Sequence, residues 1–300
     1  MKRQIFFTIL LSAVLLLSNL VSIAQEEIPQ VTLIATAEGL QNIPTEMPEG
    51  LVNITFNNQS EAPILPVPMR LLEDVTRDEL VMALETEGED AAMALLAMLG
   101  GTFIMPETSI TITYDLKPGE YLVTDFAYPS EAPILNWFMV EDSASSNELN
   151  MPEADINVNL LDFAFQIPLE LEAGESLWHI ENMGGQWHEL VLIRVEDGIT
   201  LEAAREMFFG TAPEGNSAEQ GDHDHANAES TEEASAEEEG PMPDFLWIPM
   251  EAGEQAWIPV NLEAGTYVVA CMLPNLEELG TEAEPHMHAE LGMFQIVTVK

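Results

Sequence analysis

Three short stretches of this 300-residue chain carry side chains able to hold a metal ion. The only cysteine, Cys271, closes the run Tyr267-Val268-Val269-Ala270-Cys271-Met272-Leu273-Pro274. Beyond a loop comes His286-Met287-His288-Ala289-Glu290-Leu291-Gly292-Met293, and well before both stands Asn182-Met183-Gly184-Gly185-Gln186-Trp187-His188-Glu189-Leu190. A single cysteine excludes an intrachain disulfide. In a chain that opens like an exported protein, a leftover thiol calls for another role, and metal ligation is one candidate.

These motifs resemble the cupredoxin, or blue copper, family, in which an early histidine and a late Cys…His…Met set hold one copper ion, often with glycine before the methionine. The resemblance implies His188 as the early histidine, Cys271 as the thiolate, His288 as the late histidine and Met293 as the weak axial ligand. His286 is a possible substitute for His288, but the five residues from His288 to Met293 fit the family spacing. The resemblance covers most of residues 155–300 and implies an electron-transfer site for one copper ion.

The chemistry has its own reason for these residue types. A thiolate and two imidazoles in a trigonal array, with a distant thioether, suit cuprous and cupric ions alike, so gain or loss of an electron rearranges little. Such a site needs a dry surround and hydrogen bonds that fix the imidazoles, a role expected of Trp187 and nearby backbone groups. His179, which alternates along a strand, reads as structural. Alternatives that stay open are copper storage or delivery, a metal-free interaction or adhesion module, and zinc, for which Cys and His are also good ligands.

The elements that must position these residues repeat. Phe56-Asn57-Asn58, Met69-Arg70-Leu71 and Val75-Thr76 reappear as Ile180-Glu181-Asn182, Ile193-Arg194-Val195 and Ile199-Thr200 at a constant offset of 124. Tyr114 to Val123 matches Val260 to Val269 at an offset of 146, each a strand, a glycine turn and a strand. The expected fold is all-β: two tandem cupredoxin-like Greek-key β-sandwiches, each with a helical insertion, at about Arg77 to Leu99 (broken near Gly88) and Leu201 to Phe209. The expected divisions are a signal peptide at 1–24, a first repeat at 25–145 and a copper-binding repeat at 151–300. Aligning the repeats sets Ile64, Asp125, Glu131 and Asn136 opposite His188, Cys271, His288 and Met293, so the first repeat lacks the ligands and reads as a scaffold or partner-binding half.

Residues 212–240 are almost devoid of apolar side chains and read as a disordered acidic insertion. Gly221-Asp222-His223-Asp224-His225 lies within it. At the N-terminus, Lys2-Arg3, an apolar run and Ser22-Ile23-Ala24 form a secretory signal pattern, which implies a secreted or periplasmic protein, or one held by an N-terminal membrane anchor if the segment is not cleaved. No later segment is long and apolar enough to span a membrane. Without residues 1–24, six basic residues face 53 acidic ones, a charge near −47 that disfavours nucleic acid and points to a basic redox or copper-exchange partner. Six histidines, alanine at 270 where linked copper enzymes place a histidine before the cysteine, and no hydrolase or phosphate-binding signature lead to the expectation that the chain is not an enzyme.

Overall fold

A computed structural model describes residues 27–127, 134–142, 151–210, 243–280 and 284–300. The signal segment, the acidic insertion and Glu131 lie outside them.

The first repeat runs β1 (Gln30–Thr36), β2 (Gly39–Gln41), β3 (Glu46–Pro48), β4 (Gly50–Asn58), β5 (Pro66–Leu71), α1 (Arg77–Thr86), α2 (Glu89–Met93), β6 (Leu96–Met98), β7 (Ser109–Leu116), β8 (Gly119–Asp125) and β9 (Asn136–Glu141). The second follows the same order: β10 (Ile156–Leu161), β11 (Ala164–Gln166), β12 (Glu170–Leu171), β13 (Gly174–Asn182), β14 (His188–Val195), α3 (Leu201–Phe209), β15 (Phe245–Met250), β16 (Gln255–Leu262), β17 (Gly265–Ala270), α4 (His288–Leu291) and β18 (Phe294–Val299). The fold is mostly β, with the expected tandem sandwiches.

The offsets seen in the sequence are structural. In β4 every second side chain from Val52 to Asn58 turns inward, and in β13 Trp178, Ile180 and Asn182 do the same, the period-two pattern of a strand buried on one face. The Tyr121 hydroxyl donates to the Lys117 carbonyl, and Tyr267 donates to Glu263 in the same way, each at 2.8 Å, pinning the turns before β8 and β17.

Helix α1 starts at a capping box, in which Thr76 accepts from the Glu79 N–H and the Glu79 carboxylate accepts from the Thr76 N–H. It ends before Gly88, at a φ of +98°. The expected helix to Leu99 is too long, because Leu96–Met98 forms β6 and pairs with β5, burying Leu96, Ala97 and Met98. Helix α3 has the expected bounds.

Each repeat contributes a five-stranded outer sheet, ordered β3-β9-β8-β5-β6 and β12-β18-β17-β14-β15. The inner sheets do not stay separate. Antiparallel pairing of β16 with β7, at Ala256↔Tyr114 and Trp257↔Thr113, fuses them into one sheet, β11-β10-β13-β16-β7-β4-β1-β2. One core cluster therefore extends through both repeats. Trp247 seals the junction by lying flat against Gly100, where a Cβ would collide with the indole ring.

An ion triad ties the same junction. Glu254, 2% exposed, accepts from Arg70 at 3.1 Å and Lys117 at 2.8 Å, both from the first repeat. A carboxylate this deep needs both cations, since losing one partner leaves an under-compensated buried charge. Arg70→Met is expected to cost about 2 to 4 kcal/mol in guanidinium unfolding, and adding Glu254→Gln to that variant should restore part of it. A double variant no more stable than Arg70→Met would contradict this account.

Candidate metal centre

His188 and Cys271 come together because their strands are neighbours. β14 begins at His188, β17 ends one residue before Cys271, and the two pair antiparallel with Val191 opposite Ala270. The Cys271 N–H donates to the Met293 carbonyl at 3.1 Å, extending the β17–β18 ladder to the sulfur-bearing residue. His288 arrives on the first turn of α4, where Glu290 accepts from the Met287 N–H at 2.8 Å. Its own N–H donates to Leu273 O at 2.8 Å, and the Ala289 N–H donates to Cys271 O at 2.9 Å.

The sixteen residues between Cys271 and His288 look too many for ends that must converge. The loop is a side excursion closed at its base, however: Pro274 bridges Met287, and the Asn275 N–H donates to His286 O at 2.8 Å. Closure is thus supplied by backbone pairing rather than by the whole loop. Gly292, which precedes Met293, has a φ of +141°, and a Cβ there would run into the Phe163 carbonyl oxygen. Glycine is required at that position on both counts.

His188, Cys271 and His288 are all fully buried, with one donor atom from each within 4.8 Å of the others. His188 Nδ1 lies 3.1 Å from His288 Nδ1, and Cys271 Sγ lies 3.4 Å from His288 Nδ1. Metal bonds of about 2.0 Å to nitrogen and 2.3 Å to sulfur set donors roughly 3 to 4 Å apart, as these two pairs are, so the three residues form a candidate site for one ion. Met293 is buried next to Cys271 in the same core cluster. His286 is elsewhere: it is exposed, and its bond to the Glu278 carboxylate at 2.9 Å raises its pKa. His179 stacks on Trp257 and hydrogen-bonds Gln255, a structural setting.

The outer ring nitrogens fix the tautomers. His188 Nε2 stands 3.0 Å from Asp162 Oδ1, and a carboxylate can only accept, so Nε2 carries the hydrogen. His288 Nε2 stands 3.2 Å from Gln186 Oε1. That atom is the amide oxygen, because it also accepts from the Leu276 N–H at 2.7 Å, so His288 too is protonated on Nε2. The two Nδ1 lone pairs therefore face each other, with the sulfur beside that of His288, an arrangement that asks for a cation between them.

Asp162, Gln186 and Asn182 were not legible as site residues. Asp162 sits in the turn between β10 and β11, and its carboxylate also accepts from the Gly185 N–H at 2.9 and 3.1 Å. Asn182 donates to Gln186 O and Met250 O at 2.8 and 2.7 Å, holding the loop that leads into His188. Trp187, expected to steady an imidazole, donates instead to Glu251 at 2.6 Å, because its ring faces the β15–β16 turn. Phe163 packs edge-on against His288, ring centroids 5.5 Å apart.

Burial dominates the electrostatics. It pushes the Cys271 thiol up to about 12, against the pull of N–H groups from Glu189 and Leu273 at the sulfur. Burial, reinforced by the facing His188, brings His288 down to about 4. His188 is lowered by burial too, with Asp162 opposing. Burial also raises the Glu189 carboxyl, which accepts from the Met272 N–H at 2.8 Å.

The first repeat builds the same sulfur cradle around a different atom. Asp125, opposite Cys271, accepts on Oδ1 from the N–H groups of Leu65 and Ala127 at 2.8 and 2.9 Å. These are the counterparts of Glu189 and Leu273. Buried Ile64 stands where the second repeat has His188. The pairing of Asn136 with Met293 needs correcting: the registers Val123↔Asn136 and Val269↔Gln295 set Asn136 opposite Gln295, which leaves Ile134 opposite Met293.

No protein-family model and no curated protein matches the sequence. Among solved structures, an auracyanin from the photosynthetic bacterium Roseiflexus castenholzii is 17% identical over 48% of this chain and 94% of its own, with a TM-score of 0.27. A copper nitrite reductase from Nitrosomonas europaea is 12% identical over 91% of this chain and 94% of its own, with a TM-score of 0.23. A multicopper oxidase is 14% identical over 91% and 89%, also with a TM-score of 0.23. At such TM-scores these likenesses lend the site no argument. The expectation that the chain is not an enzyme is withdrawn: the solved structures that cover both repeats include enzymes.

The depressed His288 sets a pH dependence for the metal-free protein. Its folded pKa, about 4, lies below the ordinary 6.5, so the unfolded chain takes the proton first. The stabilisation is complete above about pH 6.5 and is lost as pH falls toward 4. Between pH 7 and 4.5 the wild type should lose about 2 kcal/mol more than His288→Leu in chemical unfolding. Parallel losses in the two proteins would refute the assignment.

Proposed function

We propose that the second repeat binds one copper ion through His188, Cys271 and His288, with Met293 as a weak fourth ligand, and that the protein transfers single electrons. The observation that carries this reading is the convergence of two imidazole lone pairs and one sulfur on a common buried point, with both outer nitrogens already satisfied. Copper bound there supplies a one-electron couple, and two imidazoles with a thiolate are a donor set that suits both of its oxidation states. The chain's part is to exclude water, to present Nδ1 of each histidine, and to cradle the sulfur with N–H groups.

We read the protein as exported, on its N-terminal segment, and as working with a basic partner. All six basic side chains after that segment are engaged internally: Arg70 and Lys117 with Glu254, Arg77 with Glu120, Arg194 with Glu263, Lys300 with Glu170, and Arg205 with the carbonyls of Ala289 and Glu290. The remaining acidic groups give the surface a field that attracts cationic partners. Among the described residues no helix is long and apolar enough to cross a membrane.

Adding cupric ion to the purified protein should give an intense visible thiolate-to-copper band, absent in Cys271→Ser. Because the thiol of the metal-free site is protonated, with a pKa of about 12, while both histidines are neutral, uptake at pH 7.5 should release about one proton. Colourless uptake would sink the electron-transfer reading, and tight cuprous binding without the band would favour storage or delivery.

A further inference from the structure

Both imidazoles are fully buried, yet their outer nitrogens meet different chemistry. His288 donates to a neutral amide, that of Gln186, deep beneath the Leu276 turn. His188 donates to a carboxylate, that of Asp162, whose side chain is 43% exposed. The contact is built rather than incidental. A Cβ on Gly184 would fall 2.6 Å from both Asp162 Oδ1 and His188 Nε2, so only glycine lets the loop pass close to the pair. The next residue, Gly185, turns its N–H onto both carboxylate oxygens and fixes their direction. The first repeat, which lacks the histidine at this position, has Ile64 there.

We infer that Asp162 is a positioning residue for the copper site, holding His188 as the Nε2–H tautomer and, through its charge, favouring the cupric over the cuprous state. This rests on the copper reading above. The argument is electrostatic as well as geometric. A carboxylate accepting from an imidazole N–H raises the donor strength of the opposite nitrogen. Its negative charge also stabilises a site bearing two positive charges more than one bearing one, and partial exposure reduces the effect without abolishing it. Gln186 supplies the tautomer control for His288 without that charge, so of the two imidazoles only His188 carries the influence of a carboxylate on its outer nitrogen. Reduction adds one electron to the copper and, with the Nε2 hydrogen retained, moves no proton at His188.

Two substitutions separate the roles. Asp162→Asn keeps an oxygen to accept from Nε2–H and removes the charge; Asp162→Ala removes both. In the metal-free protein, ¹⁵N spectra should show the Nε2–H tautomer for His188 in the wild type and in Asp162→Asn, and a mixture in Asp162→Ala. Loaded with copper, Asp162→Asn should lose cupric affinity on the order of tenfold with cuprous affinity little changed, which is a rise in reduction potential of about 60 mV. Glu85→Gln, an exposed charge on α1 in the first repeat, should leave both unchanged. An Nδ1–H wild type, or a coloured Asp162→Asn protein with an unmoved potential, overturns this inference alone. A wild type that takes up no copper overturns the copper reading itself.

Discussion

Two imidazole lone pairs face each other in a dry pocket, and the second repeat is arranged so that they cannot turn away. His188 and His288 each have the outer nitrogen committed to an acceptor, so rotating either ring to relieve the 3.1 Å approach of the two Nδ1 atoms would break a hydrogen bond. The sulfur is confined in turn by the Glu189 N–H at 3.5 Å. The neighbouring structure serves to hold that convergence: the hairpin turn that carries Asp162, the amide network around Asn182 and Gln186, the pinched 274–287 loop, and Gly292 beneath Phe163.

Comparison of the two repeats separates what the fold needs from what the site needs. Asn58 and Asn182 do the same work, each donating to the carbonyl four residues on and to a second carbonyl across the sandwich. That clamp survives without any metal ligand, so it belongs to the fold. The paired N–H groups at Asp125 and Cys271 survive as well, although the acceptor changes from a carboxylate to a sulfur. A cradle that accommodates a carboxylate in one repeat suits a thiolate in the other, since both are anions taking two N–H bonds.

Much of this was legible because the signals were local or repeated. Offsets of 124 and 146 marked equivalent strands, and Cys271 and His288 stand at the ends of a run whose types and order are unusual in themselves. The spacing to Met293 favoured His288 over His286, and the structure adds the reason, since His286 is exposed and bonded to Glu278. Asp162 and Gln186 left no signal, because an aspartate in a turn and a glutamine after two glycines are ordinary loop residues until the fold sets them beside an imidazole. Strand fusion through β16 and β7 was also invisible, for an edge strand reads the same whether it meets water or another repeat. Asn136 was misaligned because a loop gap can be placed anywhere in a sequence and only one ladder register decides it.

The first repeat, whose described residues include no cluster able to hold a metal ion, is still mechanically connected to the site. Arg70 and Lys117 hold the Glu254 side chain, and the backbone beside that carboxylate pairs with Asn182: Gly253 N–H donates to Asn182 O at 2.8 Å, and Asn182 N–H donates to Glu254 O at 3.0 Å. Asn182 then grips the carbonyl of Gln186, whose side chain orients His288. The Glu251 N–H donates to Met98 O, and the Glu251 carboxylate accepts from Trp187, the residue before His188. Both histidines are thus braced from strands that rest on the other repeat. Since a rigid frame is what keeps three buried donor atoms converged on one point, the first repeat contributes to the geometry of the site by denying the loop its freedom to relax.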